Sequence, residues 1–137
     1  MDPAALFDID GTLALHGERN PYNWRDSPSD RPNEPVVRVL HALHRDGCSI
    51  VYISGRPEEA RPVTESWLSE FVGVQGPLHL RSNGDRRPDS VVKREIFGRE
   101  IRPLFDVFAV FDDREQVVRM WREEVGLPCL QVAAGQF

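Results

Sequence analysis

The feature that most constrains the fold of this chain is an alternation along the sequence. Short apolar runs typical of strands alternate with hydrophobic patterns typical of helices. Short apolar runs, whose length and composition predict buried strands, occur at residues 4–7, 49–53, 78–80, 107–111 and 130–133. Helical patterns lie between them, at residues 35–45, 57–71, 89–100 and 114–125. We expect Pro57 in the first turn of the second helix and Asp89 or Ser90 as the cap of the third. Strands that alternate with helices predict an α/β fold, a Rossmann-like three-layer sandwich with a central parallel sheet.

The length of the chain, 137 residues, fits one compact domain, so we expect residues 1–137 to form a single unit. A hydrophobic content of 40% with 28% charged residues is ordinary for a globular protein. One long irregular stretch, residues 13–34, is rich in Pro, Asn, Asp and Ser. Because long loops in compact domains usually serve a function, we expect this one to do so.

The formal net charge of −5 limits the partners that the chain attracts at long range. Such a charge repels nucleic acid and membrane surfaces, so an anionic substrate must be bound by local groups. The first seven residues have neither a cationic start nor a long apolar run, so we expect no signal peptide and no membrane partner. Cys48 and Cys129 lie beside aliphatic stretches and are interpreted as plain core thiols. Together these features predict a cytoplasmic protein.

Paired acids follow two of the predicted strands. Asp8 and Asp10 come after the first strand, and Asp112 and Asp113 follow the fourth. Ligands of a parallel sheet bind at the carboxyl ends of its strands, so both pairs are expected at one edge. There Asp8 is a candidate nucleophile toward phosphorus and Asp10 a candidate proton carrier, while clustered carboxylates favour Mg²⁺. The alternative is that both pairs are ordinary turn residues.

Two further polar residues occupy positions suited to phosphate. Ser54 ends the second strand, and Gly55 and Arg56 lead toward a helix N-terminus whose free backbone N–H groups favour an anion. Lys93 lies near the start of the third helix. Taken alone, Ser54 is better explained as a capping residue and Lys93 as a solvated surface charge.

The string Phe7-Asp8-Ile9-Asp10-Gly11-Thr12-Leu13 resembles the first motif of the haloacid dehalogenase superfamily. In that superfamily, an acid two positions after the nucleophile marks the phosphatases and phosphomutases and not the dehalogenases. The resemblance implies a catalytic set of Asp8, Asp10, Ser54 and Lys93, and a Mg²⁺ site at Asp8, Asp10, Asp112 and Asp113, with Asp10 contributing its backbone carbonyl. Cap domains set substrate choice in this superfamily, and the chain has room for a minimal cap or none.

A closer resemblance, over residues 6–137, is to the 3′-phosphatase domain of the bacteriophage polynucleotide kinase/phosphatase family. It rests on Arg19 with Pro21-Tyr22, on the segments at residues 8–14, 54–56, 84–85, 91–93, 95–97, 112–114, 116–118 and 120–122, and on the ending at residues 131–137. It implies substrate-binding roles for Thr12, Arg19, Gly55, Arg56, Arg81 and Asp89.

The resemblance implies a Mg²⁺-dependent phosphomonoesterase that acts through an aspartyl-phosphate intermediate. Its expected substrates are the 3′-phosphates of DNA or RNA ends or of nucleoside 3′-phosphates. No Gly-x-x-x-x-Gly-Lys-Ser/Thr string occurs, so we expect no kinase module in this chain. Two alternatives stay open, namely a phosphatase of small molecules such as nucleotides or sugar phosphates, and a non-catalytic module that binds phosphorylated ends.

Two groups of side chains could contact a polynucleotide. Tyr22 and Trp24, in the long loop, could stack on a terminal base, although packing of the loop onto the domain is favoured. Arg81, Arg86 and Arg87 could form a local basic patch.

Overall fold

The computed structural model describes residues 1–135 of the chain. Its strands are, in chain order, β1 (Asp2–Asp8), β2 (Ala14–Leu15), β3 (Arg31–Pro32), β4 (Ser49–Pro57), β5 (Leu78–Arg81), β6 (Phe105–Asp112) and β7 (Cys129–Gln131). Five of them form one parallel sheet in the order β5-β4-β1-β6-β7, while β2 and β3 form a short antiparallel pair. The predicted central parallel sheet is therefore confirmed. The last strand ends earlier than its apolar run, because only residues 129–131 pair with β6.

The helices cover both faces of the sheet and are α1 (Glu34–Arg45), α2 (Arg61–Phe71), α3 (Asp89–Ile96) and α4 (Glu115–Arg119). α3 continues as a π-helix over Phe97–Ile101, and α4 continues in the same way over Met120–Val125. Gly126 ends the last helix in the left-handed conformation, with φ of 83°, which glycine adopts without steric cost. No helix within residues 1–135 is long and apolar enough to cross a membrane.

Two predicted helix starts differ from the structure. Pro57 is the last residue of β4, and a 3₁₀ turn at Glu58–Ala60 separates it from α2, whose first-turn proline is Pro62. Among residues 1–135, no side chain caps α3. The Asp89 carboxylate instead pairs with the guanidinium groups of Arg81 and Arg114, which are stronger partners than a neutral backbone N–H.

The core has two halves, one on each face of the sheet. On one face Phe7 stacks on Phe111 with ring centroids 4.4 Å apart, and helices α1 and α2 cover these rings with residues that include Leu40 and Trp67. The opposite half contains side chains of α3 and of the last helix: Val92, Ile96, Val118 and Trp121. Because successive residues of a strand point to opposite faces, Leu6 and Phe7 contribute to different halves. A shift of a strand by one residue would move every side chain to the opposite face, so this alternation fixes the register of the sheet. The register in turn fixes the position of the carboxyl edge.

Candidate active site

The turn after β1 brings two acids to the carboxyl edge. The N–H groups of Thr12, Leu13 and Ala14 all donate to the carbonyl of Ile9, and Gly11 has φ of 86°. A Cβ at Gly11 would lie 2.1 Å from Oδ2 of Asp113. Only glycine therefore allows both this backbone conformation and the approach of Asp113.

Asp8 is buried at the floor of the site and is held from both sides. Its Oδ1 accepts a hydrogen bond from Nζ of Lys93 at 2.8 Å, and its Oδ2 accepts one from Oγ1 of Thr12 at 2.8 Å. Nζ of Lys93 also donates to Oδ2 of Asp112 at 3.1 Å. Burial by itself lowers the pKa of Lys93, but Asp112 and Asp8 together raise it above its ordinary value, so the lysine stays charged.

Three buried carboxylates form a candidate metal site. Asp8, Asp112 and Asp113 each offer an oxygen within 4.8 Å of the others. Burial, and then the charge of Asp112, raise the pKa of both Asp8 and Asp113. The charge of Lys93 balances only one of the three carboxylates, so negative charge is in excess at this buried site. A divalent cation bound through oxygen atoms would offset it. The superfamily that the sequence resembles generally uses a divalent metal, and these residues match that requirement. The Asp10 side chain lies outside this cluster.

The carboxylate of Asp10 points instead to two arginines. Arg56 donates from Nε to Oδ2 at 2.9 Å and from Nη2 to Oδ1 at 2.7 Å, and Arg19 donates from Nη2 to Oδ1 at 3.2 Å. Behind them lies the buried Asp30, which accepts hydrogen bonds from Arg19 at 2.6 and 2.8 Å. The Asp10 side chain is 29% exposed and so stays accessible, whereas both arginines are almost fully buried.

The expected substrate-binding residues are already engaged with the protein. Thr12 donates to Asp8, and Arg19 and Arg56 donate to Asp10; Arg56, unlike Arg19, also lines the cleft described below. The hydroxyl of Ser54 is buried and accepts the backbone N–H of Arg56 at 3.1 Å. Their direct contact with a substrate therefore stays a prediction.

Gly55, Arg81 and Asp89 form a second, partly buried arrangement at the edge. A Cβ at Gly55 would lie 2.5 Å from Oδ1 of Asp89. That carboxylate pairs with Arg81 and with Arg114, whose Nη1 lies 2.8 Å from Oδ2. Arg81 also donates from Nε to the carbonyl of Gly55 at 2.7 Å. Burial raises the pKa of Asp89, but Lys93, Arg114 and Arg81 outweigh it and lower that pKa.

Two members of these networks were missed from the sequence. Asp30 lies in the irregular loop among other polar residues, and nothing in the sequence distinguishes it from them. Arg114 directly follows the Asp112-Asp113 pair and lies in a segment that matches the resembling family, which is a signal that could have identified it.

Above these residues lies a cleft of about 850 Å³. Cations, aromatic rings and six acids line it, the acids being Asp8, Asp10, Asp85, Asp89, Asp112 and Asp113. The loop packs onto the domain through Ser27 and Asp30, which are buried, but Tyr22 lines the cleft and is 80% exposed, so its ring does not share in that packing. Trp24 is half-buried, with the guanidinium of Arg25 4.4 Å from its ring centre.

The arginines of the predicted basic patch have different partners. Arg87 pairs with Asp85 and Glu95, while Arg86 makes no ion pair within residues 1–135.

A parallel α/β sheet with this set of residues at its carboxyl edge defines a phosphomonoesterase of the haloacid dehalogenase fold. The class C acid phosphatase from Bacillus anthracis has the same fold, with a TM-score of 0.66 at 18% identity, over 99% of this chain and 68% of that one. The model of the polynucleotide kinase PNKP phosphatase domain matches residues 2–137. The chain belongs to that family.

Relatives with higher sequence identity support the same family assignment. A chain of the Pnkp1/Rnl/Hen1 RNA repair complex superposes with a TM-score of 0.96 at 39% identity, over 99% of this chain and 44% of that chain. A protein of Autographa californica nuclear polyhedrosis virus, described as a bifunctional polynucleotide kinase/RNA ligase, is 32% identical over 123 residues, which are 88% of this chain and 18% of that protein. The chain thus spans less than half the length of these relatives.

Proposed function

We propose that this phosphatase removes 3′-phosphates from polynucleotide ends or nucleoside 3′-phosphates, through an aspartyl-phosphate on Asp8 and with Mg²⁺ as cofactor. The observation that carries the proposal is the placement of Asp8 on the floor of a cleft that Asp10 also lines, with Lys93 at 2.8 Å. Membership of the polynucleotide kinase PNKP phosphatase family supports the choice of substrate.

In the first step, a carboxylate oxygen of Asp8 forms a bond to phosphorus while the bond from phosphorus to the 3′-oxygen breaks. Asp10, which must carry a proton at this point, gives it to that leaving oxygen. In the second step Asp10 takes a proton from water, the water oxygen bonds to phosphorus, and the bond between phosphorus and Asp8 breaks. Lys93 stabilises the negative charge of the transferring group in both steps.

Asp10 is suited to this exchange because its two oxygens are fixed by Arg56 and Arg19 while the side chain stays accessible from the cleft. Fixed orientation matters because proton transfer requires hydrogen-bond distance to the leaving oxygen. Asp8, Asp112, Asp113 and the backbone carbonyl of Asp10 would hold the Mg²⁺ ion. When bound, the ion offsets the charge of the carboxylates and of the phosphate that approaches them.

The surroundings of the cleft support a phosphate at the end of a larger molecule. No folded cap stands between β1 and α1, where a 3₁₀ turn and the β2–β3 pair occupy the connection. Arg86 and Arg114 line the cleft and place positive charge locally within a protein of net charge −5. The thiols of Cys48 and Cys129 are unpaired, which supports the cytoplasm as the compartment.

The test is a comparison of phosphate release from oligonucleotides phosphorylated at the 3′ or the 5′ end and from nucleoside 3′- and 5′-monophosphates. DNA and RNA versions are measured with and without Mg²⁺. We expect release from 3′-phosphates that requires the ion. Equal rates on all substrates would instead favour the small-molecule phosphatase, and no release from any ester would favour the non-catalytic binding module.

A further inference from the structure

Tyr22 is an exposed aromatic residue on the rim of the cleft. The residue is 80% exposed, and within residues 1–135 its hydroxyl forms no hydrogen bond and its ring contacts no other ring. The other exposed large apolar side chains, including Leu104 and Phe108, lie outside the cleft. Burial in the core therefore does not account for the position of this ring.

The backbone that carries Tyr22 is nevertheless firmly held. Its N–H donates to Oδ1 of Asn20 at 3.0 Å, and Nη1 of Arg19 donates to the carbonyls of Asn20 at 3.0 Å, Pro21 at 3.3 Å and Asn23 at 3.2 Å. The same guanidinium pairs with Asp10. The position of Tyr22 is thus coupled, through one arginine, to that of Asp10.

The size of the cleft leaves room beyond the phosphate. Clefts of roughly 300–1,000 Å³ hold organic ligands of nucleotide size, and this one measures about 850 Å³. A phosphate bound at Asp8, on the floor, directs the nucleoside that carries it toward the rim. Trp24 also lines the cleft, but the guanidinium of Arg25 already covers one face of its ring.

We infer that Tyr22 stacks on the base of the terminal nucleotide and so favours ends that carry a base over phosphate esters that lack one. The inference rests on the proposed function for its substrate class. An aromatic ring held by an ordered backbone loses little conformational freedom on stacking, and every base offers a π face. Tyr22 thus contributes to substrate specificity, because it contacts the base. It does not contact the reacting atoms, which lie on the floor of the cleft.

Equilibrium binding in an Asp8→Asn background tests the inference without turnover. The probes are a short 3′-phosphorylated oligonucleotide and the same molecule with an abasic terminal sugar. We expect Tyr22→Ala to reduce the preference for the base-bearing end by roughly 5- to 150-fold, the range typical of one base stacked on one aromatic ring. Tyr22→Phe should keep the preference, and Phe108→Ala, which removes an exposed ring outside the cleft, serves as the matched control.

The inference is overturned if Tyr22→Ala leaves the ratio of the two affinities unchanged, or if Tyr22→Phe lowers it as much as Tyr22→Ala. Failure of the proposed function is a separate result. It would show as an absence of 3′-phosphate release by the parent protein, while the affinity ratio still falls in Tyr22→Ala.

Discussion

Arg56 donates hydrogen bonds to both carboxylate oxygens of Asp10, at 2.9 Å from Nε and 2.7 Å from Nη2. Its remaining nitrogen, Nη1, donates to Thr64 at 3.0 Å and to Ser27 at 3.3 Å. The planar guanidinium is therefore saturated by the protein and fixes the orientation of the acid. These contacts give Arg56 a positioning role for Asp10.

Removal of this guanidinium should affect both folding and turnover. Arg56→Ala leaves Asp10 and the buried Asp30 short of positive charge, and we expect the free energy of unfolding to fall by about 3–5 kcal/mol. Arg56→Lys keeps the positive charge but loses the two parallel N–H donors that orient Asp10. We therefore expect kcat to fall by about 10²-fold or more, while the free energy of unfolding is better preserved than in Arg56→Ala. Urea unfolding and kcat measure the two effects. Arg94→Ala, in an exposed pair with Glu124, is the control, and an equal stability loss in both alanine variants contradicts the account.

Gly55→Ala should disturb the site by steric contact alone. The new methyl group would lie 2.5 Å from Oδ1 of Asp89, and Arg81 and Arg114 prevent that carboxylate from turning aside. We expect a loss of about 1–3 kcal/mol in unfolding free energy, with a lower kcat. In Gly98→Ala the added Cβ meets nothing within 4 Å, so stability should hold or rise slightly. A stability equal to that of the parent in Gly55→Ala would refute the proposed clash.

The sequence predicts the parts of this site that follow from strand order. Apolar runs locate β1 and β6, and the rule that ligands bind at strand ends brings Asp8 and Asp112 together. The partners of the arginines are not predictable in this way, because a guanidinium on a long side chain can reach many carboxylates. Asp30 is the clearest case, since its role depends on how an irregular loop folds over α2, where its carbonyl accepts the Trp67 indole N–H at 3.0 Å.

Magnesium should stabilise the folded protein through the acid cluster. An ion at 100 times its dissociation constant adds about 2.7 kcal/mol to the unfolding free energy. We expect Mg²⁺ to raise the Tm of the parent protein and to raise that of Asp113→Asn much less, because one of the three clustered carboxylates is then neutral. Asp106→Asn, which changes an exposed acid of β6, should respond as the parent does. A shift in Asp113→Asn equal to that of the parent would exclude this residue as a ligand.

His79, half-buried on β5, should make stability depend on pH. Burial lowers its pKa below the ordinary value of 6.5. The unfolded chain then binds a proton more readily than the folded one, so this contribution to stability is complete above pH 6.5 and is lost as the pH falls toward the folded pKa. Unfolding free energies at pH 7.5 and 5.5 should differ less in His79→Gln than in the parent. The control is His44→Gln, an exposed position on α1, and an unchanged difference in His79→Gln would count against the prediction.

The covalent role of Asp8 is the central claim, and chemical trapping tests it most directly. Borohydride reduces an acyl phosphate to an alcohol, and mass spectrometry of the digested protein locates the modified residue. During turnover of a 3′-phosphorylated oligonucleotide with Mg²⁺, we expect the modification at Asp8, and Asp8→Asn should lower kcat by a factor on the order of 10⁴ or more. Turnover by the parent without any modified Asp8, together with a near-parental rate in Asp8→Asn, would contradict the account.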